Sequence, residues 1–114
     1  MIQDCLFCKI VAGKVPAKLV HEDSRCVAFR DINPQAPVHV LIVPREHIAT
    51  LDDAGAEHLD VLGGLLVAAK SIAALEQIGR AYRVVINCGA AAGQSVFHIH
   101  VHLLGGRSMG WPPG

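Results

Sequence analysis

Three histidines at alternate positions, His98, His100 and His102, stand in the run Phe97-His98-Ile99-His100-Val101-His102-Leu103-Leu104. Alternation at period two is a strand pattern, because successive side chains of a strand point to opposite faces. It predicts Phe97, Ile99, Val101 and Leu103 on one face and the imidazoles on the other, about 6.6 Å apart. The apolar face can enter a core, whereas each buried imidazole needs a polar partner. Metal ligation, a row of imidazoles along an anionic substrate, and the exposed face of an edge strand would each satisfy them. Just upstream, Gly93-Gln94-Ser95 lacks bulky side chains at its start. Such a backbone can approach an anion and aim N–H groups at it, and Ser95 adds a hydroxyl. Donors beside a row of histidines suit phosphoryl chemistry: one imidazole attacks phosphorus while a neighbour hydrogen-bonds a non-bridging oxygen. The attacking ring must be neutral and held at its other nitrogen, and the strand bearing His39 could supply a carbonyl or imidazole for this.

Other residues carry weaker signals. Cys5-Leu6-Phe7-Cys8 has the spacing of a metal or redox pair, although two cysteines on a helix are also commonly just buried. Tetrahedral zinc would need two further ligands, and spacing alone does not choose among the seven histidines. Asp31, at a strand end, suits either a carboxylate that accepts from a sugar diol or a loop cap. Asn87 is a turn residue or a polar ligand contact. Cys26 and Cys88 fit a core, His21 and His58 face solvent, and Arg45, Glu46 and Arg107 fit ordinary surface charges.

The elements that must position these groups follow from pattern and breakers. Residues 5–13 predict a short helix stopped by Gly13 and Pro16. Residues 18–20 and 25–29 predict two short strands around a turn at 21–24. Pro34 and Pro37 make 31–37 a loop. Residues 38–43 predict a strand closed by Pro44, with His39 and Leu41 opposite Val38, Val40 and Ile42. A long helix is expected from about Ala54 to Ile78, capped by Asp52 or Asp53, with Leu59, Leu62, Leu66, Ala69 and Ala73 as its apolar stripe. Gly63-Gly64 weakens it by ~1 kcal/mol per glycine and implies close packing there. Strands at 82–88 and 97–104 complete the chain. Sequential strands with short connections predict an α+β fold: an antiparallel sheet of about five strands with one long and one short helix, the helices against one face.

Length and composition bound the rest. A chain of 114 residues supports one domain, residues 1–114, with no linker or repeat. Formal charge is zero, so no electrostatic pull toward nucleic acid or an anionic membrane is expected. No apolar run is read as a membrane span, and Met1 to Cys5 does not read as a secretion signal. Cytoplasmic residence is the expectation. The 52% apolar content suits a well-buried globule or one that hides surface in an oligomer.

Taken together, these segments resemble the histidine-triad family. His98 to Leu104 matches its His-apolar-His-apolar-His-apolar-apolar signature at every position. Residues 31–39, 42–48 and 92–97 are similar to further family segments, and the ending 105–114, with Trp111-Pro112-Pro113, is similar to the histidine-triad nucleotide-binding branch.

The resemblance implies a purine nucleoside phosphoramidase that hydrolyses adenosine 5′-phosphoramidates, including AMP joined to a lysine amine, and acts on acyl-adenylates. It implies that His100 attacks the α-phosphorus to form a nucleotidyl-histidine, that His102 contacts the phosphate, and that His39 orients the nucleophilic ring. It assigns Asp31 to the ribose, Phe7, Ile10, Phe29 and Ile32 to the base, and Asn87, Gly93, Gln94 and Ser95 to the phosphate. It further implies a structural zinc on Cys5, Cys8, His47 and His98, and a homodimer in which two sheets join and the 105–114 tail reaches toward the partner's site. Mg²⁺ is not expected, since no carboxylate cluster is present to hold it. A nucleotide-binding interaction protein with incidental hydrolysis is the alternative, as is a dinucleotide polyphosphate hydrolase of the same family. The Trp-Pro-Pro ending argues against the latter, and His102 argues against the branch that carries glutamine there.

Overall fold

The computed structural model describes residues 4–114. Residues 1–3, part of the stretch read for a secretion signal and of the 1–114 domain, lie outside them. The elements are α1 (Leu6–Val11), β1 (Leu19–Glu22), β2 (Cys26–Arg30), β3 (Val38–Pro44), α2 (Leu59–Leu75), β4 (Tyr82–Val85) and β5 (Val101–Gly105). The strands form one sheet in the order β1-β2-β3-β5-β4, and every pairing is antiparallel. The α+β expectation with five strands, one long and one short helix therefore holds.

The helices do not share a face. Alternation along the central strands sends Cys26, Ala28, Val40, Ile42, Val101 and Leu103 to one side, where Leu65, Ala68, Ala69, Ile72 and Ala73 of α2 cover them. Val27, Phe29, Leu41 and Val43 point to the other side and pack on Cys5 and Phe7 of the α1 segment. Strands buried on both faces need a layer on each. Burying a side chain such as Ile42 or Leu65 contributes about 1.5–3 kcal/mol, and both are fully buried.

The long helix is shorter than expected, and its buried face is only partly the expected one. It begins at Leu59, after two 3-10 turns at Leu51–Asp53 and Ala56–His58. Asp53 caps the first turn rather than the helix, accepting from the Thr50 N–H and hydroxyl at 3.2 and 2.8 Å. Leu59 and Leu66, placed in the expected stripe, are 72% and 50% exposed. Leu62, Ala69 and Ala73 of that stripe do face the sheet, together with Leu65, Ala68 and Ile72, because apolar residues surround much of this helix and periodicity alone did not single out one side. Ala56–Leu75 also has the length and mean hydropathy, 1.5, that a membrane-crossing helix needs, but Leu65, Ala68, Ala69, Ile72 and Ala73 on it are packed against the sheet. Close packing is found at Gly64, where a Cβ would lie 2.7 Å from Cδ of Arg25, but Gly63 faces open space.

The last strand starts four residues later than the histidine alternation suggests. Residues 97–100 pair with no strand; the Ile99 N–H donates instead to the Ile48 carbonyl at 2.7 Å. Ile99, Val101 and Leu103 are fully buried as expected, whereas Phe97 is 46% exposed. The strand at 82–88 likewise ends at Val85.

Candidate active site and metal centre

β5 and the segment before it carry the triad along the α1 side of the sheet. The His100 and His102 rings stand 4.9 Å apart. Both line a cleft of about 960 Å³, together with Phe7, Ile10, Phe29, Asp31, Ile32 and Ser95. Eight residues expected to meet a nucleotide therefore share one cavity of the size and largely apolar lining typical of small-molecule sites. Phe7 forms its floor, edge-on to His100 at 5.0 Å and to Phe29 at 5.4 Å. Val15, Pro16 and Ala17 add a wall that sequence reasoning missed. Their signal was slight: a proline in a turn after α1.

Hydrogen-bond partners assign the protons on these rings. His100 Nδ1 lies 2.8 Å from the His98 carbonyl, an acceptor only, so Nδ1 carries the proton and Nε2 keeps its lone pair. The Gln35 N–H donates to His39 Nδ1 at 3.0 Å, so the proton of His39 is on Nε2. That nitrogen is 3.0 Å from His102 Nδ1, which must accept, leaving His102 with an Nε2–H donor. His39 thus orients His102, whereas the expectation was that it would orient the nucleophilic ring. A main-chain carbonyl two residues back, from the same strand segment, performs that task for His100.

Burial keeps the rings neutral. Desolvation is the main cause lowering the pKa of His39, His98 and His100, and Asp31 partly opposes it at His39 and His100. At His102, desolvation together with His100 and His39 brings the value down to about 4. Neutral imidazoles can act as a nucleophile and as a tautomer-defined donor. Asp31 places Oδ2 3.4 Å from His39 Nε2 and accepts the Asn33 N–H on Oδ1 at 2.8 Å.

The glycine loop divides its residues between two tasks. Ser95 faces the cleft, while Asn87, Gly93 and Gln94 do not line it. Gln94 is 3% exposed. Its Oε1 accepts the Gly89 N–H at 2.8 Å, and its Nε2 donates to the Ala49 and Val96 carbonyls at 2.8 and 3.1 Å. Its amide pins the loop and is fully engaged there. Gly93 holds φ at +100°, a left-handed conformation that favours glycine, and Asn87 sits beside it.

A second cluster stands at the far end of the triad. One ligand atom from each of Cys5, Cys8, His47 and His98 lies within 4.8 Å of all the others. Cys5 Sγ is 3.3 Å and Cys8 Sγ 3.5 Å from His98 Nδ1; His47 Nδ1 is 3.3 Å from Cys8 Sγ and 3.2 Å from His98 Nδ1. A tetrahedral ion with bonds of about 2.3 Å to sulfur and 2.0–2.1 Å to nitrogen puts its ligand atoms roughly 3.3–3.8 Å apart. His98 Nε2 donates to the Pro44 carbonyl at 2.8 Å, which leaves Nδ1 unprotonated toward the cluster. The four residues fit a metal ion. His21 and His58, expected to face solvent, are instead half-buried, and they pair with Asp23 and Glu46.

Residues 12–109 match the HIT domain family. A "14 kDa zinc-binding protein" of Zea mays is 51% identical over 111 residues, covering 96% of this chain and 87% of its own. "Adenylylsulfatase HINT1" of Arabidopsis thaliana is 49% identical over 111 residues, covering 96% and 76%. The crystal structure of a HIT family hydrolase from Legionella pneumophila superposes with a TM-score of 0.95 at 51% identity, covering 97% of this chain and all of the other.

Proposed function

This chain belongs to the HIT domain family, and from that premise we propose that it is a purine nucleoside phosphoramidase acting through a nucleotidyl-histidine. The carrying observation is the His100 ring, whose Nδ1–H is held by the His98 carbonyl while the ring lines the cleft beside His102. Nε2 of His100 attacks the α-phosphorus of an adenosine 5′-phosphoramidate, and the P–N bond breaks as the new P–N bond to His100 forms. The departing amine takes its proton from solvent, since neutral His102 is a donor of hydrogen bonds but too weak an acid to give up Nε2–H. His102 Nε2–H and the Ser95 hydroxyl meet charge on the phosphoryl oxygens. Water then attacks phosphorus, the P–N bond to His100 breaks as the P–O bond forms, the water's proton passes to solvent, and AMP leaves with His100 neutral again. Asp31 accepts from the ribose hydroxyls. The base lies between Phe7, Ile10, Phe29 and Ile32. Gln94, Gly93 and Asn87 serve the phosphate by shaping the loop that presents Ser95.

The activity in the name of the Arabidopsis relative favours a second substrate of the same site, the mixed anhydride of AMP and sulfate. Sulfate leaves without needing a proton, which suits a neutral His102.

Cys5, Cys8, His47 and His98 would hold zinc, in keeping with the name of the maize relative. The ion would supply no chemistry to the reaction; it would tie α1 to the strand of the triad. Thiols kept as ligands suit a reducing compartment, the cytoplasm. β4 is a sheet edge without a bulge, and we assign the homodimer contact to it, continuing the sheet into a second copy. Rapid-quench mass spectrometry with an adenosine phosphoramidate tests the central step. The expected result is an adenylate on His100, absent in His100→Ala; an adduct on any other residue overturns the mechanism.

A further inference from the structure

Arg107 lies outside the cleft and has no role in the chemistry above, yet two sets of hydrogen bonds, joined through the backbone of Gln35, link it to His102. Its Nε–H donates to the Gln35 carbonyl at 3.0 Å, and its Nη1 donates to the Ser108 carbonyl at 2.9 Å. The Gln35 N–H donates to His39 Nδ1, and His39 Nε2–H donates to His102 Nδ1, each at 3.0 Å. Pro34 and Pro37 have no N–H, so Gln35 supplies the loop donor that reaches His39. The tail packs closely on this loop: Gly106 holds φ at +90°, and a Cβ there would lie 2.9 Å from Cβ of Pro37. Within the loop, Asn33 is bound to Asp31 and the Gln35 side chain to Asn33. Arg107 is the side chain from another element that holds the Gln35 carbonyl, one peptide beyond the N–H that reaches His39, so it acts on that N–H through the φ and ψ of Gln35.

We propose that Arg107 is a positioning residue: by fixing the Gln35 carbonyl, and with it the backbone angles that aim the Gln35 N–H, it sets which nitrogen of His39, and through His39 which nitrogen of His102, carries the proton. If the Gln35 N–H turns away, the Nδ1–H form of His39 is no longer opposed. Its Nε2 then becomes an acceptor, His102 must hold its proton on Nδ1, and a bare Nε2 lone pair faces the phosphoryl oxygens. Asp31 Oδ2, 3.4 Å from His39 Nε2, continues to favour the working form, so the loss is partial. The groups facing His102 are His39, His100 and Asp31.

The kinetic consequence rests on the phosphoryl-transfer reading; the tautomers do not. Long-range ¹H–¹⁵N spectra of the whole chain at neutral pH read them directly. The wild type is expected to show Nε2–H at His39 and His102 and Nδ1–H at His100. Arg107→Ala is expected to mix both forms at His39 and His102 while leaving His100 unchanged, and Arg107→Lys to restore most of the wild-type pattern. With an adenosine phosphoramidate, kcat of Arg107→Ala falls roughly tenfold with KM within about twofold, less than the ~100-fold typical of an oxyanion donor removed outright. Gln35→Pro, which deletes the N–H itself, should shift the same two rings even if Arg107→Ala does not fold. Arg83→Ala frees the tail at Gly110, which Arg83 Nη2 holds at 2.7 Å, and should leave the tautomers alone. Wild-type tautomers in Arg107→Ala or Gln35→Pro overturn the proposal, as does the same change in Arg83→Ala. A wild type with no phosphoramidate turnover would instead overturn the proposed function, and the spectra would still decide the role of Arg107.

Discussion

Gln94 gives the sharpest test of how the loop is built. Its one amide satisfies three backbone groups, the Gly89 N–H and the Ala49 and Val96 carbonyls. Truncation by Gln94→Ala removes three hydrogen bonds at a residue 3% exposed. At about 1 kcal/mol net for each, and with water entering part of the vacated space, the loss is about 3 kcal/mol. Gln94→Glu keeps the acceptor for Gly89 but places a carboxylate oxygen against two carbonyls. The folded state then favours the protonated acid, so the glutamate's pKa rises above the ordinary value of about 4.3. A raised folded pKa contributes stability that is fully present below the unfolded value and is lost as pH rises through the folded one. The deficit of Gln94→Glu relative to wild type should therefore be largest near pH 8 and shrink by about 1 kcal/mol or more toward pH 5. Urea unfolding of both variants and the wild type across this range measures it. A deficit for Gln94→Glu that is independent of pH, or a loss below about 1 kcal/mol for Gln94→Ala, would refute the assignment of this amide as the loop's internal pin.

Other consequences can be measured with ordinary means. Phe7→Ala empties a floor that touches Phe29 and His100; it should destabilise the fold by about 3–5 kcal/mol in denaturant unfolding and weaken AMP binding. Removing zinc by a chelator, or by Cys8→Ser, should lower the melting temperature and raise amide exchange in residues 5–11, and elemental analysis should find close to one ion per untreated chain. The value of about 4 at His102 is depressed from 6.5. An unfolded chain therefore takes up a proton first as pH falls, and stability present above pH 6.5 is lost down to about 4. His102 is only partly buried, so its share is about 2 kcal/mol after discounting for solvent. A wild-type unfolding free energy that stays flat between pH 7 and 4.5 would contradict this.

Much of the site was legible because side-chain chemistry is written directly in residue type and spacing. Three histidines at period two announced a shared face, and β5 does carry His102 opposite Val101 and Leu103. Cys5, Cys8, His47 and His98 come together from three segments that spacing alone could not have joined, and the likeness to the family supplied that grouping. What sequence missed was mostly main chain. The acceptor that sets His100 is the carbonyl of His98, and the donor that sets His39 is the N–H of Gln35. Every residue but proline owns both groups, so little in a letter code marks which one will be used. The long helix misled for a different reason: Leu59, Leu66 and Val67 stay exposed although apolar, so polarity did not distinguish its two sides.

At position 98 one residue meets two separate demands by two separate parts. The imidazole reaches the cysteine cluster, while the peptide oxygen steadies the next ring along. Loss of the imidazole that faces the cysteines would therefore leave the His100 ring held, as long as Ile99 and its anchor at Ile48 keep the local path of the chain. Such a division means that the side chain at this position could change while the group that holds the neighbouring ring, being main chain, stays in place.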